Sequence, residues 1–233
     1  AIRLARGGWA GDGKVRIVVT GRRAAALEET AALARAACPD ADVVVAPADL
    51  REPRDVERLF AGLARCDLLF NNAGVNVGPT PTDQMSLDDW RWVVGTNLDA
   101  AFHVAREAFK LMMTHGGGRI VGNGSVSAAT PRPGSIAYTA SKHAMTGLTK
   151  SLALDGRPHN IAAGQIDFGN VVSAISAKMA TGMPQADGSV ASEPRMSADD
   201  AADAVFYMAQ LPLSANVLSM TVMATKMPLV GRG

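Results

Sequence analysis

The stretch SIAYTASKHA, residues 135 to 144, places a phenol and an ammonium group four positions apart, at Tyr138 and Lys142. In a helix of about 3.6 residues per turn, these two side chains lie on the same face. A tyrosine has an unperturbed pKa of about 10, which is too high for ready proton exchange near neutral pH. A neighbouring ammonium stabilises the phenolate and lowers that pKa. The pair is therefore either an ordinary surface pair or the proton donor of an enzyme.

Two further polar residues suit the same chemistry. Ser125 ends a predicted strand 13 residues before Tyr138, and we expect both to face the cleft at the carboxyl ends of the strands. There the serine hydroxyl can hold a substrate carbonyl oxygen beside the phenol. Asn97 interrupts a predicted helix at the sequence GTN. Its side-chain amide can bind a water that passes protons onward from Lys142.

Apolar runs alternate with runs of strong helix formers, and no internal repeat or linker interrupts them. This alternation predicts an α/β fold with a doubly wound parallel sheet of the Rossmann type and helices on both faces. We expect a single domain over residues 1–233, with a substrate lid at about 170–195. The predicted strands are KVRIVVTG, DVVVAPADL, DLLFNNAG, RIVGNGS, NIAAGQI and SMTVMA, and the predicted helices cover 24–38, 53–65, 86–115, 138–154 and 197–211.

The ends of the predicted strands carry residues that suit a dinucleotide. Arg22 and Arg23 follow the strand RIVVTG, where an arginine can bind a 2′-phosphate and no carboxylate is present to bind a 2′-hydroxyl. The alternative is a solvated pair at a helix start. The small residues Asn72, Ala73 and Gly74 allow a flat ligand close to the backbone, although the same residues also make a good turn.

Asp49 and Leu50 end the next predicted strand, ADL. They can bracket an adenine edge, or Asp49 can cap the helix that follows. The sequence alone leaves both possibilities open.

The composition argues against several other classes of protein. The 23 basic and 22 acidic residues are mixed along the chain and give a net charge of +1, so no basic stripe indicates binding to nucleic acid or to a membrane surface. No apolar run approaches the roughly 18 residues of a membrane-spanning helix. Cys38 and Cys66 have no metal-ligand spacing and are expected to be free thiols in a reducing cytoplasm. We expect no metal site.

Taken together, these residues resemble the short-chain dehydrogenase/reductase family, and the resemblance spans residues 15 to 224. It implies that Asn97, Ser125, Tyr138 and Lys142 form a catalytic tetrad. Tyr138 would be the acid/base and Lys142 would lower its pKa. It further implies an NAD(P)(H)-dependent oxidoreductase, with NADP(H) favoured by Arg22, that interconverts a ketone or aldehyde and an alcohol. The cofactor contacts would be Arg22, Asp49, Leu50, Asn72, Ala73, Gly74, Tyr138 and Lys142. We also expect a cytoplasmic homodimer or homotetramer.

Two stretches depart from the family pattern. The Thr-Gly-x-x-x-Gly-x-Gly turn and the strand before it are missing, and that strand would belong between RIVVTG and DLLFN. These two strands must then either pair directly or leave two open edges, and neither arrangement supplies backbone amides to a pyrophosphate. We therefore expect the chain as written to bind NADPH weakly or not at all and to have no measurable reductase activity, and we expect an added upstream strand and turn to recover both. The second stretch is GQIDFGNVV, residues 164–172, which replaces the usual Pro-Gly and leaves Gly169 and Asn170 as candidate cofactor contacts.

Two alternatives remain open at this point. One is a truncated, catalytically inactive protein of the same fold that senses a cofactor or acts as a scaffold, which the missing glycine turn favours and the intact tetrad opposes. The other is an epimerase or dehydratase relative, which uses the same tyrosine and lysine. Such enzymes usually need a larger substrate domain than residues 170–195 can provide.

Overall fold

The computed structural model describes residues 1–7, 15–173, 176–185 and 187–230. Most of the glycine-rich loop GGWAGDGK lies outside these ranges. The predicted alternation of strands and helices is confirmed. In chain order the elements are α1 (Ile2–Arg6), β1 (Arg16–Gly21), α2 (Ala24–Ala37), β2 (Asp42–Pro47), α3 (Pro53–Ala61), β3 (Leu68–Asn71), α4 (Leu87–Val94), α5 (Ala100–Thr114), β4 (Gly118–Asn123), α6 (Ile136–Asp155), β5 (Ile161–Phe168), β6 (Met183–Pro184), β7 (Val190–Ala191), α7 (Ala198–Gln210) and β8 (Ser219–Val222).

The main strands form two parallel sheets. One contains β1 and β2, and the other contains β3, β4, β5 and β8 in that order. Within the described ranges no hydrogen-bonded ladder joins β1 to β3, so the direct pairing of these two strands is not found. A strand between them stays a prediction. The short antiparallel hairpin of β6 and β7 lies in the predicted lid.

Helices cover both faces of the four-stranded sheet. Successive residues of a strand point to opposite faces, so neighbouring residues of β4 pack against different helices. Ile120 of β4 belongs to a buried cluster with Val104 of α5. The next residue, Val121, belongs to a second buried cluster with Val205 and Met208 of α7. Apolar packing on both faces therefore holds β4 in place, and with it the carboxyl end at which the candidate site lies.

The predicted long helix is interrupted at the point where the sequence GTN suggested a break. Ser86 caps its start, and its hydroxyl oxygen accepts a hydrogen bond of 3.0 Å from the backbone nitrogen of Asp89. Between α4 and α5, residues Gly95–Asp99 form a π-helical turn, in which the backbone nitrogen of Ala100 donates to the carbonyl oxygen of Gly95. Such widened turns are rare and often occur at functional sites. Asn97 lies within this one.

The guanidinium of Arg119 in β4 is buried and fastens the sheet to the loop after α7. It donates to the carbonyl oxygens of Leu211 at 3.0 Å, Pro212 at 3.1 Å and Ala215 at 2.9 Å, and to Oδ1 of Asn216 at 3.2 Å. A cation is favourable beside the carbonyl groups at the end of a helix. These oxygens replace the water that the guanidinium loses on burial.

Replacing Arg119 by alanine is expected to lower the free energy of unfolding by roughly 2–4 kcal/mol, because a buried side chain and its four hydrogen bonds to the loop after α7 are lost. Urea denaturation measures the loss. The matched control is Arg106→Ala on α5, where the guanidinium is half exposed and pairs with Glu107. That change should cost less than about 1 kcal/mol. Equal losses in the two variants would show that Arg119 does not fasten the sheet.

Candidate active site

The segments after β3 and β4 meet the first turns of α6 at the carboxyl edge of the four-stranded sheet. The side-chain amide of Asn123 donates to Oδ1 of Asn72 at 2.8 Å. From α6, Nζ of Lys142 donates to the carbonyl oxygen of Asn123 at 2.7 Å. Three chain segments that are distant in sequence are thus joined where the sequence predicted a cleft.

Lys142 points into the protein and is only 3% exposed. Burial lowers the pKa of its ammonium group to about 8, although the negative charge of Asp167 acts in the opposite direction. The nitrogen lies 5.7 Å from the centre of the Tyr138 ring. The predicted proximity of these two side chains is therefore confirmed.

The Tyr138 phenol has a different electrostatic environment from the one predicted. Burial raises its pKa, while a hydrogen bond with the Ser125 hydroxyl and the positive charge of Arg132 lower it without cancelling the increase. The predicted lowering by Lys142 is not seen in this arrangement, in which the ammonium lies over the ring and donates to Asn123. Arg132, which the sequence analysis did not single out, is the cation that acts on the phenol.

Ser125 is oriented by contacts of its own backbone and hydroxyl. Its Oγ accepts a hydrogen bond of 3.1 Å from the backbone nitrogen of Ser127, at the start of the short 3-10 turn Val126–Ala128. Its backbone nitrogen donates to Oδ1 of Asp167 at 2.9 Å. The hydroxyl is therefore held beside the phenol, which is the predicted arrangement of these two groups.

The π-helical turn brings Asn97 against the loop that follows β3. Its Oδ1 accepts from the backbone nitrogen of Val75 at 2.7 Å, and its Nδ2 donates to the carbonyl oxygen of Val75 at 2.9 Å and to Oγ of Ser141 at 3.0 Å. A Cβ atom at Gly74 would lie 3.4 Å from Oδ1 of Asn97 and 3.7 Å from Nζ of Lys142. The structure therefore brings Asn97, Lys142 and the NNAG turn together, and the water relay through Asn97 stays a prediction.

The residues after β1 and β2 lie at the carboxyl end of the two-stranded sheet. Arg51 binds the carboxylate of Asp49 at both oxygens, with Nε–Oδ1 of 3.0 Å and Nη2–Oδ2 of 2.6 Å. These hydrogen bonds lower the pKa of Asp49, and the positive charge of Arg22 acts in the same direction. Glu52, not Asp49, is the N-cap residue of α3, so the capping role that the sequence left open is excluded.

The guanidinium of Arg22 is exposed. Across the part of the chain that the structure describes, it makes no hydrogen bond, and no carboxylate lies within ion-pair distance of it. The positive charge of Arg22 lowers the pKa of Asp49, but that carboxylate is already bound by Arg51. The guanidinium of Arg22 is therefore available to an anionic ligand.

A buried ion pair joins the loop before α6 to the predicted lid. The side chains of Arg132 and Glu193 are 9% and 1% exposed and form a salt bridge. Asn170 lies between them, accepting from Arg132 at 3.0 Å and donating to Glu193 at 2.7 Å. Burial alone would raise the pKa of Glu193, but hydrogen bonds from Arg132, Asn170 and Gln185 outweigh it and lower the pKa to about 2.

This ion pair changes the interpretation of two residues in GQIDFGNVV. The amide of Asn170 is buried and binds Glu193 and Arg132, so it is not free to contact a cofactor. Gly169 faces the C-terminal segment, since a Cβ there would lie 2.4 Å from Sδ of Met227. The sequence-based suggestion that these two residues contact a cofactor therefore finds no support in their surroundings.

Comparison with known proteins agrees with this geometry. The family model described as short chain dehydrogenase matches residues 9–183. The chain belongs to the short-chain dehydrogenase/reductase family. This is a family of NAD(P)-dependent oxidoreductases that act on CH–OH groups, and the family predicted from the sequence is confirmed.

Individual relatives extend the likeness over most of the chain. Sulfoacetaldehyde reductase 2 of Chromohalobacter salexigens is 30% identical over 97% of this chain and 88% of that protein. The uncharacterized oxidoreductase YohF of Escherichia coli K12 is 36% identical over 60% of this chain, a match that spans 53% of YohF, about half its length. Among solved structures, a variant of actinorhodin polyketide ketoreductase with NADPH has a TM-score of 0.79 and 25% identity, covering 89% of this chain and 86% of that one.

The described residues were compared with the requirements of a membrane span and of a metal site. No helix in it has the length and apolar character needed to cross a bilayer. In the same residues, no three His, Cys, Asp or Glu side chains gather closely enough to hold a metal ion.

Three residues beside the site were not predicted, namely Arg132, Asp167 and Glu193. A signal existed for two of them: Arg132 is the one charged residue between Ser125 and Tyr138, and Asp167 is the one charged residue of the apolar strand IAAGQIDF. Glu193 carries no local signal. Its partner is 61 positions away, and only the folded chain brings the two together.

Replacing Glu193 by glutamine is expected to weaken the dependence of stability on acid. The folded-state pKa of about 2 lies below the unfolded value of about 4.3. The ionised carboxylate therefore contributes stability that is complete above about pH 5 and is lost as the pH falls toward 2. Urea unfolding at about pH 6 and pH 3 should show a larger loss for the wild type than for Glu193→Gln.

The control for this measurement is Glu28→Gln, on an exposed part of α2. It should follow the wild type at both pH values. If Glu193→Gln also follows the wild type, the buried ion pair does not contribute to acid sensitivity.

Proposed function

We propose that the protein is an NADP(H)-dependent oxidoreductase that interconverts a ketone or aldehyde and the corresponding alcohol. The observation that carries this proposal is that Ser125, Tyr138 and Lys142 lie together at the carboxyl edge of the four-stranded sheet. The Tyr138 phenol is hydrogen-bonded to the Ser125 hydroxyl, and the buried ammonium of Lys142 lies beside the tyrosine ring. A cofactor-sensing module or scaffold needs no buried proton donor with a cation next to it. The arrangement therefore favours turnover over that alternative.

The residues present fit a dinucleotide with a 2′-phosphate. Arg22 offers an exposed guanidinium at the end of β1, and a planar guanidinium suits bidentate binding of phosphate. Asp49 and Leu50 at the end of β2 would lie against the adenine. Asn72 and Ala73 are exposed and could lie against a flat ligand, while Gly74 packs against Asn97 and Lys142. Tyr138 and Lys142 would hold the nicotinamide ribose.

The mechanism follows from the contacts of the site. The bound cofactor supplies a hydride for the carbonyl carbon. Ser125 holds the carbonyl oxygen beside Tyr138, and the phenol gives its proton to that oxygen. Because burial raises the pKa of Tyr138, the phenol keeps its proton at neutral pH until the substrate oxygen gains charge. The positive charge of Arg132 favours the phenolate that remains, and in this proposal Lys142, 5.7 Å from the ring centre, adds to that effect as the oxygen becomes charged.

The names of two relatives support carbonyl chemistry, since one is a sulfoacetaldehyde reductase and the other a polyketide ketoreductase with NADPH. The substrate is therefore expected to be a small molecule with a ketone, aldehyde or alcohol group. A cytoplasmic location and a homodimeric or homotetrameric state belong to the same proposal, and gel filtration with light scattering would test the assembly.

In a chain extended upstream of β1 by the family's strand and Thr-Gly-x-x-x-Gly-x-Gly turn, replacing Tyr138 by phenylalanine is expected to reduce kcat for carbonyl reduction by at least about 100-fold, because the proton donor is removed. NADPH binding, measured by calorimetry, should persist. Tyr207→Phe is the matched control, since this second tyrosine is 49% exposed on α7. Near-normal turnover in Tyr138→Phe would contradict the assigned role, and so would an equal loss in the control.

In the same extended chain, replacing Arg22 by alanine is expected to weaken NADPH binding about tenfold or more and to leave NADH binding unchanged, because a charge-assisted bond to the 2′-phosphate is lost. The wild type should prefer NADPH over NADH in kcat/KM. Arg16→Ala is the matched control, at the opposite end of β1 and also exposed. If the wild type prefers NADH, or if both cofactors respond equally to the change, Arg22 does not select the cofactor.

A further inference from the structure

The carboxylate of Asp167 lies outside the proposed tetrad but contacts the segment that carries Ser125. Asp167 is near the carboxyl end of β5, and its Oδ1 accepts two hydrogen bonds, from the backbone nitrogen of Ser125 at 2.9 Å and from Nε2 of Gln165 at 2.6 Å. The first of these bonds reaches the backbone of the residue that would hold the substrate oxygen. Asp167 can therefore affect the reaction without contacting substrate.

Asp167 reaches this backbone because residue 124 is glycine. A Cβ atom at Gly124 would lie 2.0 Å from Oδ1 of Asp167 and 2.6 Å from Nε2 of Gln165, so any side chain would displace the carboxylate. The backbone nitrogen of Gly124 donates to Ile166 at 2.8 Å, which keeps this residue against β5. The glycine and the aspartate therefore form one local arrangement.

The segment Asn123–Ser125 is held from two sides by groups of opposite charge. Nζ of Lys142 donates to the carbonyl oxygen of Asn123, while the carboxylate of Asp167 accepts from the amide of Ser125. In the described residues, the charged or titratable groups facing this ammonium are the Tyr138 ring of α6 and the carboxylate of Asp167. The carboxylate raises the pKa of Lys142 against the effect of burial.

The orientation of Asp167 is itself set from α6. Gln165 is buried, and its Nε2 donates to Oγ1 of Thr146 at 3.2 Å as well as to Asp167. Its Oε1 accepts from Oγ1 of Thr149 at 3.4 Å. The helix that carries Tyr138 and Lys142 is therefore connected to Ser125 through Gln165 and Asp167.

We propose that Asp167 is a positioning residue, which fixes the backbone of Ser125 and keeps the charge of Lys142 in place from the opposite side of the segment Asn123–Ser125. This role rests on the proposed reductase function, in which the serine hydroxyl, the phenol and the ammonium act together. Two substitutions separate the hydrogen bond from the charge. Asp167→Asn keeps an Oδ1 acceptor and removes the charge, whereas Asp167→Ala removes both.

The first measurement is independent of activity. Exchange of the Ser125 backbone amide with solvent, followed by NMR, should be about tenfold faster or more in Asp167→Ala, because the amide loses its acceptor. Protection should be retained in Asp167→Asn. The control is Asp88→Asn, in which the altered side chain is 95% exposed on α4 and protection should not change. Wild-type protection of this amide in Asp167→Ala would overturn the proposal.

The second measurement is the pH profile of carbonyl reduction. Removing the anion lowers the pKa of Lys142 further, so in Asp167→Asn the alkaline limb of kcat/KM should move to lower pH. Asp167→Ala should in addition reduce kcat about 10- to 100-fold, because Ser125 is no longer held in place. If Asp167 has a purely structural role, the alkaline limb of kcat/KM in Asp167→Asn will lie at the same pH as in the wild type. That result would overturn the proposed effect of Asp167 on the charge of Lys142.

The two measurements also separate this proposal from the proposed function. If the chain extended upstream by the family's strand and glycine turn reduces no carbonyl compound, the function is wrong and the exchange of the Ser125 amide still decides whether Asp167 holds the segment. Thermal unfolding of each variant shows that it is folded at the temperature of the measurements. Asp167→Asn preserves the size and shape of the side chain and keeps the test available if Asp167→Ala does not fold.

Discussion

A buried ammonium group loses its hydration, and the candidate site is organised around that loss at Lys142. The lost hydration is partly replaced by a hydrogen bond to the backbone carbonyl of Asn123 and by the more distant negative charge of Asp167. In the part of the chain that the structure describes, no carboxylate comes within 4.0 Å of the ammonium. Its pKa of about 8 leaves it mainly charged at neutral pH. A cation held in this way keeps its electrostatic effect for a neighbouring group, whereas a close ion pair would neutralise it.

Two other buried cations illustrate the contrast. Arg119 is surrounded by carbonyl oxygens and joins the sheet to the loop after α7, so its role is to hold the fold together. Arg132 is paired with Glu193 and joins the cleft loop to the lid. In the described residues neither Lys142 nor Arg119 forms an ion pair, but Arg119 makes four hydrogen bonds to neutral oxygens, whereas the hydrogen bond found for Lys142 is the one to the carbonyl oxygen of Asn123. The difference in partners separates groups that build the protein from the group that the proposed chemistry uses.

Local patterns predicted much of this structure. The Ser86 cap, the break at GTN and the proximity of Tyr138 and Lys142 depend on residues a few positions apart, where helix geometry sets the outcome. The two apolar faces of the sheet followed from strand and helix periodicity. Such features are readable because the cause and the effect lie in the same short stretch of chain.

The remaining features depend on contacts between distant segments. The pKa of Tyr138 reflects its burial and the charge of Arg132, and neither can be inferred from the spacing to Lys142. The role of Asp49 was ambiguous until the structure showed its carboxylate bound by Arg51. Asp167 lies in the stretch where the family resemblance is weakest, so its contact with Ser125 could be found only in the folded chain.

The π-helical turn at Gly95–Asp99 has a consequence for how the chain can change in length. A π turn holds one more residue than the α-helical turn it replaces, and each residue of an α-helix advances by about 100°. Because the extra residue is accommodated within one revolution, deleting it would restore a regular helix and leave α4, with its buried Val93, in about its present orientation relative to α5. The deletion would remove the widened backbone that places Asn97 against Val75. A single-residue deletion in this turn should therefore be tolerated by the fold and damaging to the candidate site.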